Sequence, residues 1–394
     1  MTEVRAPHLS ANWNYPTAIR AGAGRVRELP SLCFEFGMRA PLLVTDPGLA
    51  SLPFINNILN HCEENGLRVD MFANIKGNPT GQNVIEGLTV FRTGEHDGVL
   101  AVGGGSALDA AKAIALMAGQ SRPLWDFEDV EDNYLRVNED AMAPVIAVPT
   151  TAGTGSEVGR SSVITDEEAE IKRIIFHPRM LPAQVILDPE LTCGLPANIT
   201  AATGMDALSH NLEAFCAPSF HPMAEGIALE AMRLISVYLP RAVADGNDLD
   251  ARMQMLVASS MGATAFQRGL GAMHALAHPL GALFDAHHGL LNAILMPYVL
   301  RANERAIGEP MERLARHLDL PNPGFGGVLE WVYQLRLDLG IPNTLQEIGI
   351  DGEQAERIGR MAVADAAAAS NPLAFDAEDY RDIFLSALTG TTPS

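Results

Sequence analysis

The sequence predicts a molecule in two parts: an α/β first half built on a mostly parallel sheet, and an all-helical second half. Three observations carry that reading. Short Val-, Ile- and Leu-rich runs alternate with helical stretches up to about residue 188, strand signals fade after residues 196–200, and 394 residues are too many for one ordinary core.

Taken in order, residues 41–45 read as a strand, 49–65 as a helix, 67–73 as a strand, 83–94 as a helix, 98–102 as a strand, 106–118 as a helix and 145–148 as a strand. Strands separated by helices imply a parallel sheet covered on both faces, with ligands expected beyond the strands' carboxyl ends. Two extended segments at 162–165 and 171–176 follow, and residues 185–188 before Pro189 close this half. Beyond it, residues 200–215, 224–239, 249–266, 271–278, 289–302, 311–317, 327–339, 352–369 and 377–387 read as helices. Pro279 is expected to end or kink the helix carrying His274 and His278. The boundary falls near Pro189, giving domains 1–189 and 190–394, and only the tail 389–394 reads as frayed.

Composition narrows the function classes. Apolar residues make up 47% and charged residues 19%, an ordinary globular balance. A formal net charge of -21 argues against nucleic acid or an anionic membrane as partner, since both need clustered Lys and Arg. Cys33, Cys62, Cys193 and Cys216 stand singly with no Cys-x-x-Cys pair, which suits reduced thiols in a cytoplasm. The start of the chain, with Glu3 among polar residues, lacks the order of a signal peptide, and the longest apolar runs fall short of the ~20 residues of a spanning helix. A soluble, cytoplasmic protein is expected.

Two loops suit a dinucleotide. Gly103, Gly104, Gly105 and Ser106 follow a buried strand and open a helix through Asp109 and Lys112, with Ser106 read as its cap. Glycines let the backbone approach a phosphate, and the free amides and helix dipole attract its charge. Thr150, Thr151 and Thr154 lie in a second small-residue loop after the next strand, where ribose and phosphate contacts are expected. Asp46, just past the first strand, can accept from ribose hydroxyls and disfavours a 2′-phosphate, which points to NAD. The acid precedes the glycines, the reverse of the ordinary Rossmann order.

The second half gathers imidazoles in an apolar setting. His274, His278, His287 and His288 fall within the stretch from Gly269 to Gly289, among Leu, Ala, Met and Phe. Upstream, Asp206 and His210 stand four residues apart, on one face of a helix. One carboxylate with several neutral imidazoles makes a first-row divalent metal site, with Fe²⁺ or Zn²⁺ the candidates. Spacing alone does not choose between His274 and His278, nor between His287 and His288. The isolated His61, His96, His177, His221 and His317 are read as structural.

Together these segments resemble the iron-containing (group III) alcohol dehydrogenases. The resemblance runs through Asp46, Gly77 to Thr80, Gly103 to Lys112, Pro149 to Glu157, Asp188-Pro189, Gly204 to His210 and Gly269 to Gly289. It implies a dehydroquinate synthase-like fold, with an N-terminal nucleotide-binding domain and a C-terminal helical metal-binding domain. It further implies iron ligands at Asp206, His210, His274 and His288, and a proton relay at His278. Nicotinamide cofactor contacts are implied at Asp46, Gly103, Gly104, Gly105, Ser106, Asp109, Thr150, Thr151 and Thr154. The expected reaction is reversible hydride transfer between an alcohol or hydroxy acid and NAD, in a protein that associates with copies of itself. Arg160 and Arg268 can pair with a substrate carboxylate, though structural salt bridges are the simpler account. The alternatives are an NAD- and metal-dependent lyase of the dehydroquinate synthase type and a metal-dependent hydrolase.

Overall fold

The computed structural model describes residues 15–391; the segment around Glu3 and the last residues of the tail lie outside them. Contacts divide the chain into two units, with the break between Leu195 and Pro196.

The first unit, residues 15–195, is built on a six-stranded sheet. Its strands are β1 (Ile19–Ala21), β2 (Pro41–Val44), β3 (Asp70–Phe72), β4 (Gly98–Gly103), β5 (Val145–Pro149) and, after a hairpin, β8 (Gln184–Leu187). The hairpin pairs β6 (Ser161–Asp166) with β7 (Ile171–Phe176) antiparallel, Ser161 opposite Phe176. The large sheet runs β1-β8-β5-β4-β2-β3, and every neighbouring pair is parallel. Helices α1 (Leu29–Glu35), α2 (Pro47–Ala50), α3 (Pro53–Glu64), α4 (Gly81–Thr93) and α5 (Gly105–Met117) make the connections. The continuous apolar runs of β2, β4 and β5 are buried along their whole length, as strands covered on two faces must be.

Two departures from the sequence reading have local causes. β1 was too short to register as a strand, yet Ile19 pairs with Val185 and completes the sheet edge. The helix expected at 49–65 is two helices, because Leu52 is extended before Pro53 and Asp46 caps a separate short turn through Gly48 N and Leu49 N.

The second unit, from Pro196 onward, is helical: α6 (Ala197–Cys216), α7 (Pro222–Ala244), α8 (Leu249–Ala265), α9 (Ala272–Phe284), α10 (His288–His317), α11 (Phe325–Asp338), α12 (Ala355–Ala364) and α13 (Ala377–Thr389). α6 is the central rod, packed on α7, α8 and α10. Pro279 does not end α9; the helix passes it and stops at Asp285, which is left-handed at φ 50°. Residues 289–302 and 311–317 likewise join in one helix that carries Pro297 and Pro310 inside it. Conversely, the stretch 352–369 keeps only α12 as regular helix, followed by a short 3-10 turn that Asp365 caps through Ala367 N. Among the described residues no helix is long and apolar enough to cross a membrane.

Candidate functional site

In the first unit, adjacent strands β2, β4 and β5 end side by side and bring the expected cofactor residues together. Asp46 follows β2, the glycines follow β4, and Thr150 follows β5, its amide donating to Gly103 O at 2.9 Å. Proximity requires glycine at two of the three positions: a Cβ on Gly105 would lie 2.2 Å from Thr154 Oγ1, and one on Gly103 2.7 Å from Ala107 Cβ. A Cβ on Gly104 would only touch Thr151, at 3.4 Å, and the one on Gly103 would also lie 3.7 Å from Asp46 Oδ2. Asp46, Gly103, Gly104, Gly105, Thr151 and Thr154 therefore rim one small region, at the N-terminus of α5.

Ser106 is not the cap of that helix. Gly104 is, without any side-chain bond, and the Ser106 hydroxyl donates to Gly77 O at 2.5 Å. Asp109 stands behind the loop: its carboxylate accepts from Ser156 Oγ at 2.5 Å and Val163 N at 2.9 Å, with Lys112 Nζ 3.3 Å away. Lys112 also donates to Ser156 O and Ser161 O, so the pair ties the threonine loop and the hairpin to α5. Burial lowers the Lys112 ammonium's pKa against the pull of Asp109 and Glu157.

In the second unit, α6, α9 and the start of α10 converge. Asp206, His210 and His274 are buried, and one ligand-capable atom from each lies within 4.8 Å of the others. The His210 and His274 rings stack at 4.6 Å between centroids. His288 Nε2 is 3.8 Å from Asp206 Oδ1. His287 is used otherwise: its Nδ1 accepts from Leu290 N at 3.3 Å and caps α10. His278 stacks on His288 at 5.5 Å, and its Nδ1 donates to Asp365 Oδ2 at 2.8 Å.

The donor set fits a divalent cation. Asn292 Nδ2 lies 2.8 Å from Asp206 Oδ1 and 3.2 Å from both His274 Nε2 and His288 Nε2. Its two hydrogens face three acceptors, while its own Oδ1 is buried with no partner. Acceptors outnumber donors around one point, and a buried carboxylate without a counter-charge is costly. A metal ion with N and O ligands removes both deficits.

Sequence reasoning missed the outer partners. Glu213 Oε2 accepts from His274 Nδ1 at 2.6 Å, and Asp365 serves His278 in the same way. Burial opposes a charge on His274, but Glu213, then Asp206 and Asp365, prevail and raise its pKa. Burial also works against the Asp365 carboxylate, yet His278 and the Ala367 amide hold it below the usual range. A signal existed for Glu213, which sits three residues after His210 on the same apolar helix; none existed for Asp365. Arg268 is committed to structure. It donates to Ala214 O and Phe215 O at the end of α6 and to Ser219 O just beyond it, and pairs with Glu225 at 2.9 Å. Arg160 lies over the Phe176 ring.

Comparison with known proteins identifies the family. The family model "Iron-containing alcohol dehydrogenase" matches residues 16–189, and "Fe-containing alcohol dehydrogenase family, C-terminal" matches residues 200–388. A 4-hydroxybutyrate dehydrogenase from Cupriavidus necator is 40% identical over 377 residues, 93% of this chain and 97% of that one. The crystal structure of a 1,3-propanediol oxidoreductase superposes with a TM-score of 0.89 at 34% identity, covering 98% of this chain and all of that one. That of a sulfoacetaldehyde reductase from Bifidobacterium kashiwanohense, in complex with NAD⁺, does so with 0.86 at 27% identity, covering 96% and 100%. Neither the lyase nor the hydrolase alternative is favoured by these matches. The two family models together span nearly the whole chain, which belongs to the iron-containing alcohol dehydrogenases, oxidoreductases that pass a hydride reversibly between an alcohol and NAD.

Proposed function

We propose that Asp206, His210, His274 and His288 hold the iron, that His278 relays the proton, and that the substrate is a short primary alcohol or terminal hydroxy acid. The observation that carries this is the buried convergence of Asp206, His210 and His274 within 4.8 Å. Bound there, an iron would supply Lewis acidity and NAD a hydride acceptor. The chain's own groups do the rest. His278 takes the substrate proton, and Asp365, bonded to its Nδ1, stabilises the imidazolium that results. The Gly103–Ser106 turn with Thr150, Thr151 and Thr154 holds the pyrophosphate, Asp46 accepts from a ribose hydroxyl, and Asp109 fixes the loop from behind.

The 40% identity to a 4-hydroxybutyrate dehydrogenase supports including hydroxy acids. With Arg268 spent on α6, a substrate carboxylate has to be met elsewhere, Arg160 being the remaining candidate. A cytoplasmic homo-oligomer completes the reading. Support for the compartment comes from four cysteines outside any disulfide, of which Cys33 and Cys62 have thiols pushed by burial to about 12 and about 11. Sedimentation of the purified chain tests the assembly. The reaction is tested by following NADH formation across a panel of alcohols and hydroxy acids with Fe²⁺, Zn²⁺ or no metal added. Metal-dependent turnover is expected, and a rate indifferent to both metal and Asp206→Ala defeats the assignment.

A further inference from the structure

The N-terminus of α9 begins at Gly271, which has no side chain to cap it. The first amides of the helix are satisfied from far away instead. Glu213 Oε2 accepts from Gly271 N at 2.8 Å and Glu213 Oε1 from Met273 N at 2.6 Å, while Asn371 Oδ1 accepts from Ala272 N at 3.1 Å. A carboxylate at a helix N-terminus also meets the positive end of the dipole, so this much is ordinary capping. Glu213 does something more, because Oε2 is shared with His274 Nδ1 at 2.6 Å.

A carboxylate only accepts, so the proton of His274 sits on Nδ1 and the lone pair on Nε2, the atom 3.2 Å from Asn292 Nδ2 and on the side of Asp206. The carboxylate cannot rotate to release the ring, since both of its oxygens are anchored on backbone amides of the helix that carries His274. It also cannot drift along α6, being fixed seven residues from Asp206 and three from His210 on that buried helix. We infer that Glu213 is a positioning residue that sets the tautomer and ring orientation of His274 for the metal, with the α9 cap as its anchor. Asn371, which caps the same helix without touching His274, is the built-in control.

This inference rests on the metal reading above, and its test uses the metal alone. Zn²⁺ dissociation constants are measured against a chelating dye, and visible spectra are recorded on the Co²⁺-loaded protein, for the wild-type chain and for Glu213→Gln, Glu213→Asp, Asn371→Ala and Asp206→Ala. Glu213→Gln is expected to weaken Zn²⁺ binding about 10- to 100-fold and to shift the Co²⁺ bands, the usual size of effect for the outer partner of a ligating histidine. Glu213→Asp keeps the charge but shortens the reach, so it should weaken binding too, and it carries the comparison if the Gln variant does not fold. Asn371→Ala should lower the unfolding temperature while leaving affinity and spectrum as in the wild type. A Glu213 variant with wild-type affinity and spectrum overturns the inference, as does an Asn371→Ala loss equal to that of Glu213→Gln. Retention of wild-type affinity by Asp206→Ala is a different failure, which removes the metal reading itself.

Discussion

Single residues decide whether the metal and cofactor regions work. Replacing His274 by Ala removes a ligand-capable atom and the partner of Glu213 together; on the proposed assignment, metal is expected to be lost on dialysis and turnover to fall about a thousandfold or more, since Lewis-acid stabilisation is worth several kcal/mol. Metal analysis beside the NADH assay checks both. Gly105→Ala drives a methyl to 2.2 Å from Thr154 Oγ1, so NAD affinity should drop while metal content stays at the wild-type level, as a cofactor titration would reveal. Arg268→Ala strips carbonyl bonds and an ion pair from the end of α6 and should cost about 2–4 kcal/mol in denaturant unfolding, with KM for a hydroxy acid unchanged. At this scale the sequence showed which residue types mattered but not their partners. Asp206 with His210 was legible because helical spacing puts them on one face. The pairing of His278 with Asp365 spans 87 residues, and nothing local encodes it.

Among elements, the glycine beside His288 sets how closely two helices approach. A Cβ on Gly289 would lie 2.5 Å from the Ala202 carbonyl oxygen and 3.0 Å from Asp206 Cβ, so α10 rests directly on the backbone of α6. Gly289→Ala is expected to separate them, destabilise the fold by about 1–3 kcal/mol and weaken metal binding, because His288 rides on the displaced turn. Thermal unfolding and metal titration on the same variant report the two effects. Apart from β1, strand and helix order were readable from periodicity, including the two extended segments that pair as β6 and β7. What misled was proline: Pro53 splits a stretch read as one helix, whereas Pro279, read as a stop or kink, and Pro310, read as lying between two helices, are both inside continuous helices. A sequence shows the missing amide but not the neighbours that compensate for it.

For the molecule as a whole, acid is the natural stress. The Arg25 and Arg20 guanidinium groups bonded to Glu28 hold its carboxyl down at about 2, and Arg173, against the opposing effect of burial, keeps Asp166 below its ordinary value. Carboxylates depressed in the folded state contribute stability above their unfolded values, 4.5 for Glu28 and 3.8 for Asp166, and lose it as pH falls through the lower folded ones. The unfolding temperature should therefore decline from about pH 5 to pH 3, less steeply in high salt, which screens these partly exposed pairs. The division into an α/β part and a helical part was readable because strand signals stop, while the chain contacts break at Leu195, a few residues beyond the Pro189 suggested by composition. The strand Ile19–Ala21 is held by β8, and Thr17 Oγ1 donates to Ala183 O across 166 residues. At about 5–20 residues per second, β1 leaves the ribosome roughly 10–30 s before β8, its one neighbour in the sheet among the described residues, exists. A nascent chain stalled short of β8 lacks the strand that β1 pairs with, so that pairing comes late in the building of this half.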